Sequence, residues 1–392
     1  MKKACIYAYS YGQATRKGSH VYIDGYLRTL RELEVHTTIV ARAHAARHLG
    51  RASPPKRDTT IRTVNALRIE FGPTPDLLDK MLTFSFTSKN HLYRECSRSS
   101  FLHTFSHTLT VPHIPLLRQK YDIPIITSII EDVWNPISRH PSHLAAHLYH
   151  RIQLEAALRY SDIITVQSRR DAHLVHTAFP ERSSKIHYLP MPIEPRRWRL
   201  GDRQNRASRL PRGVVILVPQ RATWTKGVDL ALRAMSPIVE EDPDIEMVVV
   251  GGGPLVLKLM ELAKALSIGD HVKFVPEADE PALKKQYSLA DIVVVPSRSE
   301  GGQPPYSVVE PMLMSKPVLM SNACDTYHTL EDGVSRFKTG DYSDLCGKLR
   351  AMIEDGELRR SLAANSRKAI MELHSPELFR RRSKELYQRF LS

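Results

Sequence analysis

Short apolar runs alternate with stretches of helical spacing along most of this chain. Ala4 to Tyr9, Thr37 to Ala41, Ile123 to Ile130 and Ile163 to Gln167 have the composition of strands buried on both faces. Ile61 to Phe71, Phe101 to His103 and Ile186 to Pro190 are shorter candidates. Apolar periodicity predicts helices around Val21 to Leu33, over Arg151 to Tyr160 and from Arg169. The alternation restarts after Arg212, with strands at Val214 to Pro219, Met247 to Val250, Val272 to Val275, Asp291 to Pro296 and Pro317 to Met320. Helices follow from Val228, over Leu255 to Leu266, and after the start signal Asp279-Glu280-Pro281. Repeated strand–helix alternation builds βαβ units, so two series predict an α/β protein of two Rossmann-like, doubly wound parallel sheets.

The 392 residues suit two domains of about 150–200 residues each. We expect a first domain over 1–196, a second over 213–374, and a basic linker at 197–212. The stretch Arg196 to Arg212 holds seven Arg or Lys, one acid and no apolar period. Residues 375–392 read as an amphipathic basic helix with Phe379, Leu386, Tyr387 and Phe390 on one face. Ligands of such folds lie beyond the carboxyl ends of the strands, in a cleft between facing domains.

Charge and cysteine content narrow the class. The net charge of +14 points to solvated basic faces or an anionic partner: a phosphate-bearing substrate, or an anionic membrane surface met peripherally. No nucleic-acid module or basic stripe interleaved with aromatics is present, so nucleic acid is not expected as a partner. Cys5, Cys96, Cys324 and Cys346 lie far apart without a CxxC pair, the pattern of reduced thiols in the cytoplasm. No run reaches the ~18–20 apolar residues of a membrane span. MKKACIYAYSYGQ reads as a first strand, not a signal peptide.

Two pairs of charged residues carry the chemistry. Arg221 and Lys226 straddle the turn between a strand and the helix starting near Gly227. Cations are disfavoured at a helix N-terminus, so their presence there points to an anionic ligand. A planar fork and a compact ammonium suit a diphosphate whose charge grows as it leaves. Glu300 precedes Gly301-Gly302, where backbone can approach a ligand, and suits the hydroxyls of a sugar. Glu310-Pro311 reads as the first turn of a helix, with the carboxylate placed to accept from a ribose diol. Backbone N–H groups between Gly301 and Val309, those of Ser307 and Val308 included, suit the phosphates, and Gly18 suits a close approach from the first domain. His103 and His107 after one strand, and Glu131 and Asp132 after another, are the acceptor-side candidates. His143, His147 and His150 share a helical face but lack an acidic or Cys companion, so no metal is expected. Gly251-Gly252-Gly253 is explained by a tight turn and is assigned no chemistry.

These residues resemble glycosyltransferase family 4, retaining enzymes of GT-B fold. Arg221 with Lys226-Gly227, VVVGGGP, KFVPEADEPALKKQYSLADIVVVPS, Glu300, Glu310 and SKPV match that family in order, from Val214 to Leu391. HSPELFRRRSKELYQRFL is similar to the family's last helix, which crosses back onto the first domain. The first half resembles it more loosely, through its opening strand, Gly18 and YSDIITVQSRRD. Nine residues separate the two glutamates where the family has seven. Pro311 and Ser315 replace a small residue and a glycine, and Ile130-Glu131-Asp132 stands where many members carry a His. The resemblance implies transfer of a sugar from a nucleoside diphosphate donor, a UDP- or GDP-sugar, to a hydroxyl with retention, without metal or cofactor. The acceptor is a glycan, a lipid-linked intermediate or a small molecule. The competing readings are a nucleotide-sugar 2-epimerase of the same architecture and a non-catalytic protein that binds a nucleotide sugar or a partner.

Overall fold

The structure, a computed structural model, describes residues 2–8, 18–42, 59–64, 83–105, 113–130, 144–199, 213–301 and 303–391. The chain divides into two compact units, Met1–Ile193 with Pro376–Ser392, and Glu194–Ser375.

The first unit is built on a 7-stranded sheet of order β3-β2-β1-β4-β5-β6-β7. Its strands are β1 (Lys3–Ala8), β2 (His36–Arg42), β3 (Thr59–Val64), β4 (Phe101–Phe105), β5 (Ile125–Ile129), β6 (Ile163–Val166) and β7 (Ile186–Tyr188). Every pairing is parallel. That explains the continuous apolar runs, because helices cover both faces of such a sheet. The helices are α1 (Gly18–Glu32), α2 (Ser85–Cys96), α3 (Ile114–Tyr121), α4 (Leu144–Tyr160) and α5 (Arg169–Ala178). Two of them, α2 and α3, escape the sequence pattern. In α2 only Ser85, Ser88, Leu92 and Cys96 are buried, so half of its inward face is hydroxyl and leaves no apolar stripe. Ser88 meets the Tyr7 hydroxyl at 2.7 Å.

The second unit holds a 6-stranded sheet of order β10-β9-β8-β11-β12-β13. Its strands are β8 (Val215–Val218), β9 (Glu246–Val250), β10 (Val272–Val275), β11 (Ile292–Val295), β12 (Val318–Ser321) and β13 (Ser335–Phe337), again all parallel. The helices are α6 (Val228–Glu241), α7 (Val256–Ala265), α8 (Glu280–Leu289), α9 (Tyr306–Leu313), α10 (Tyr342–Glu354) and α11 (Gly356–Leu373). Asp279 caps α8, accepting from the Ala282 N–H at 2.9 Å. The sequence reading stopped the parallel set at β12; β13 adds a sixth strand, three residues of which only Phe337 is buried.

Two expectations are corrected here. Residues 197–199 are not linker: Trp198 is buried against Tyr287, with ring centroids 5.9 Å apart, and Arg197 forms an ion pair with Glu280. Burial of an indole draws this segment into the second unit; residues 200–212 lie outside the described residues. Glu310 does not open a helix either. The helix α9 starts at Tyr306, so Glu310 is its fifth residue and Pro311 lies inside it. Pro311 lacks only one N–H, and the turn closes through the Met314 N–H to the Glu310 carbonyl at 3.2 Å.

The last helix, α12 (Pro376–Gln388), belongs to the first unit. Phe379, Leu386 and Tyr387 are its buried apolar residues, and the Ser383 hydroxyl meets that of Thr29 at 2.8 Å. Gly25 of α1 makes room for it: a Cβ there would lie 2.8 Å from the Phe379 ring.

Candidate functional site

In the second sheet the strand order reverses between β8 and β11, which are neighbours paired at Ile292↔Ile216 and Val293↔Leu217. Chain leaving the carboxyl ends of two such strands diverges to helices on opposite faces, and the crevice between is where doubly wound folds bind ligands. The loops 219–227 and 296–301 leave β8 and β11 at that place.

Lys226 and Glu300 come from these two loops and meet as an ion pair. The Ser297 hydroxyl donates to the same Glu300 oxygen at 2.7 Å. The side chains are 18% and 10% exposed, enough for a ligand to reach and little enough to strengthen their field. Lys226 is thus charge-balanced by Glu300, which offsets its placement before a helix N-terminus. An ammonium has three donors, so a bond to Glu300 leaves directions for a phosphate oxygen. Gly227 makes the meeting possible. Its φ of +64° carries the chain into α6, and a Cβ there would lie 2.0 Å from the Pro296 carbonyl oxygen.

Arg221 is exposed, and no described residue pairs with its guanidinium. Its loop is buttressed from β9. Gly251 (φ +143°) and Gly253 (φ +151°) pack against it, and a Cβ at either would sit 2.5 Å from the carbonyl oxygens of Gln220 and Ala222. The Ala222 N–H donates to the Gly252 carbonyl at 3.0 Å, and the Leu255 N–H to that of Ala222 at 3.0 Å. The glycine triplet therefore does more than turn the chain: it supports the Arg221 loop.

Glu310 lies one turn into α9, and its Oε2 accepts from the Tyr287 hydroxyl at 3.0 Å. Burial pushes the Glu310 carboxyl up to about 8, against the opposing effects of the Tyr287 hydrogen bond and the Lys284 charge. Near neutral pH the group is therefore largely protonated, so it offers hydroxyls an acceptor oxygen and one O–H donor. Ser307, near the start of the same helix, accepts from the buried Gln220 amide at 3.0 Å, which ties α9 to the end of β8. Val308 is buried and its N–H already donates to the Pro305 carbonyl at 2.8 Å, so the expectation that it serves a ligand is corrected. Gly301 is open, with nothing within 4 Å of where a Cβ would stand, and Gly302 lies outside the described residues.

Sequence reasoning missed Ser297, Tyr287, Gln220, Asp229 and Arg298. Arg298 grips both oxygens of Asp229 at 2.7 and 2.6 Å. Strand adjacency brings these residues together, and it is not visible in spacing along the chain.

On the first unit the expectation for His103 is corrected. It is fully buried on β4, with Nδ1 2.8 Å from the Tyr387 hydroxyl and Nε2 2.8 Å from that of Ser128. Burial lowers its pKa to about 3, so it is a neutral core imidazole with one donor and one acceptor satisfied. His107, Glu131, Asp132 and His143 lie outside the described residues, as do the side chains of His147 and His150; Gly18 is the first residue of α1. Among the described residues no three His, Cys, Asp or Glu side chains gather as metal ligands do, and no helix is long and apolar enough to cross a membrane.

Residues 202–369 match the family described as "Glycosyl transferases group 1". The D-inositol 3-phosphate glycosyltransferase of Jonesia denitrificans is 26% identical over 230 residues, 55% of this chain and 54% of that protein. The chain thus aligns with about half the length of that relative. Among solved structures, sucrose-phosphate synthase from Thermosynechococcus elongatus superposes with a TM-score of 0.80 at 17% identity, covering 100% of this chain and 99% of that one. Anabaena HepE, solved in complex with UDP and glucose, gives 0.74 at 14% identity over 98% and 99%. The fold is therefore the two-domain, Rossmann-like GT-B fold.

Proposed function

We propose that this chain is a glycosyltransferase that moves a hexose from a nucleoside-diphosphate sugar to an acceptor hydroxyl. The observation that carries the reading is the Lys226–Glu300 pair at the β8/β11 switch point, inside the region that matches the group 1 glycosyl transferases. Arg221 and Lys226 take the leaving diphosphate, whose negative charge grows as the glycosidic bond breaks. Lys226 is held in advance by Glu300, and a cation fixed in this way stabilises that change more than it stabilises bound donor. Glu300 accepts from hydroxyls of the transferred sugar, and Glu310 from the ribose diol. The N–H groups of Gly301, Gly302 and Ser307 serve the phosphates.

We read the transfer as retaining, as the resemblance to family 4 implies. With the diphosphate oxygens held on the face they leave, one of them takes the acceptor's proton as its oxygen attacks that face. The reaction then needs no protein nucleophile and no metal.

UDP is the donor nucleotide we favour, since HepE was solved with UDP and glucose, and GDP is the alternative. The first unit binds the acceptor: a glycan, a lipid-linked sugar or a small molecule. Arg380, Arg381 and Lys384 are exposed on α12, and they suit a cytoplasmic enzyme working at the inner face of an anionic membrane. No observation favours an epimerase or a non-catalytic binder.

Melting of the purified protein against UDP, GDP, ADP, CDP and dTDP tests this reading, because a ligand that binds only the folded state raises the transition temperature. Selective stabilisation by one nucleotide, with release of that nucleotide from its sugar conjugate, is the expected result. Flat traces at millimolar ligand would overturn it.

A further inference from the structure

Strand pairing between β8 and β11 ends at Val293↔Leu217, several residues short of Lys226 and Glu300. Beyond it, contacts between the two loops must hold the pair together. Arg298 supplies several of them. Its guanidinium donates to both oxygens of Asp229, at 2.7 and 2.6 Å, and Nη1 also donates to the Trp224 carbonyl at 3.0 Å. The guanidinium lies over the Trp224 indole, 5.2 Å from its centroid. The Arg298 N–H donates to the Thr225 carbonyl at 2.8 Å. Trp224, Thr225 and Asp229 flank Lys226 within three residues, and Glu300 follows Arg298 by two.

Resting on the proposed activity, we propose that Arg298 is a positioning residue whose fork on Asp229 sets the register of the two loops and so holds Lys226 against Glu300. The Arg298 side chain is 17% exposed and that of Asp229 is 30% exposed, so the fork works largely away from water, where two parallel bonds fix direction as well as distance. Burial alone would raise the Asp229 carboxyl, but the hydrogen bonds and charge of Arg298 outweigh it and hold the group below the usual carboxylate range. Asp229 is anchored in the first turn of α6, where the helix dipole favours its charge. Arg298 therefore grips a fixed point on the far side of the Lys226 loop. Its donors are turned to Asp229 and Trp224, so it acts through the pair and not on a ligand.

The test compares Arg298→Gln, Arg298→Lys and the reversed pair Arg298→Asp/Asp229→Arg with the wild type. Acetylation of Lys226 by an amine-reactive ester, mapped by mass spectrometry against the other lysines, reads the ion pair without reference to activity. It should rise about fivefold in Arg298→Gln, as the lysine loses its carboxylate partner. With the nucleotide sugar that the wild type turns over, kcat should fall about 10–50-fold while UDP affinity by calorimetry changes less than about threefold. Lysine at 298 should recover little, because an ammonium lacks the fork, whereas the reversed pair should recover more than Arg298→Gln retains. Unchanged Lys226 labelling, or a kcat within twofold (about 0.4 kcal/mol) of the wild type in folded Arg298→Gln, would overturn the assignment. Should the single variants not fold, a folded reversed pair with wild-type Lys226 labelling supports it, and one with raised labelling overturns it. A wild type that binds no nucleotide refutes the proposed function instead, and Lys226 labelling still decides the role of the fork.

Discussion

At the middle of the first sheet, His103 on β4 joins Tyr26, Ser128, Thr165 and Tyr387 in a network closed to water. Ser128 meets Thr165 at 2.6 Å, and Tyr26 donates to Thr165 at 3.1 Å. At the middle of the second sheet, Lys226 and Glu300 leave the ends of β8 and β11 as an ion pair that keeps part of its surface in water. Both sheets reverse their strand order at these places, between β1 and β4 and between β8 and β11. The first network uses neutral groups, because a charge without a partner is costly in a dry core; burial lowers His103 to about 3 and keeps it uncharged. The second sets an ammonium against a carboxylate, each the other's partner, at a place water still reaches. Polar residues at a switch point therefore mark a site only when they stay charged and accessible.

The largest effect that would break this contrast is on turnover. Lys226→Ala should cut kcat by about 10² or more, roughly 3 kcal/mol of barrier, measured as nucleoside diphosphate release. Near-native turnover would remove Lys226 from the leaving-group role. His103→Ala should act on stability instead. It leaves the Ser128 and Tyr387 hydroxyls without a partner and opens a cavity, at a cost of about 2–4 kcal/mol in urea unfolding, with UDP affinity unchanged. A catalytic loss in the folded protein without that destabilisation would return His103 to the acceptor side.

Glu310 sharpens the comparison through pH. Its folded pKa of about 8 lies above the unfolded carboxylate value, so the folded state holds a proton that the unfolded chain has released. Its contribution to stability is full below the unfolded value and is lost as pH rises through about 8. Glu310→Gln should flatten that decline between about pH 5 and 8 by about 1–2 kcal/mol, a figure discounted for the solvent that still reaches the residue. An unchanged pH dependence of the melting temperature would assign the decline to other groups. Smallest of all, Arg350→Ala breaks an ion pair with Glu241 whose side chains are 37% and 64% exposed. It should move stability by less than about 0.5 kcal/mol, because water screens such pairs. A larger loss would mean that ion pairs of the second unit matter wherever they stand.

The apolar runs carried the fold, because a parallel sheet covered on both faces requires strands such as VILV and IVVV. β13 stayed hidden: SRF has three residues and buries one. Lys226 and Glu300 stood out as candidates because each follows a buried run, and the structure brings the two together. Arg298 was not, because in PSRSE it resembles any surface cation until β11 is set beside β8. Pro311 misled the reading of its helix, because proline favours a first turn but is tolerated in the sixth position of a short helix whose end is tightened by other bonds. His103 misled for a different reason. A histidine within an apolar run reads equally as ligand or as core, and only the hydroxyls of Ser128 and Tyr387, 25 and 284 positions away, decide.

The partition of α12 bears on the order in which the chain is assembled. Residues 194–375 have all their sheet partners before the chain reaches Pro376, so the second unit needs nothing that follows it in the chain. The first unit, although made earlier, waits for Phe379, Ser383 and Tyr387 to cover Tyr26, Thr29 and His103. Until then its aromatic face is open to chaperones and to other nascent chains. A chain cut before Pro376 would therefore hold every element of the second unit and leave the aromatic face of the first uncovered.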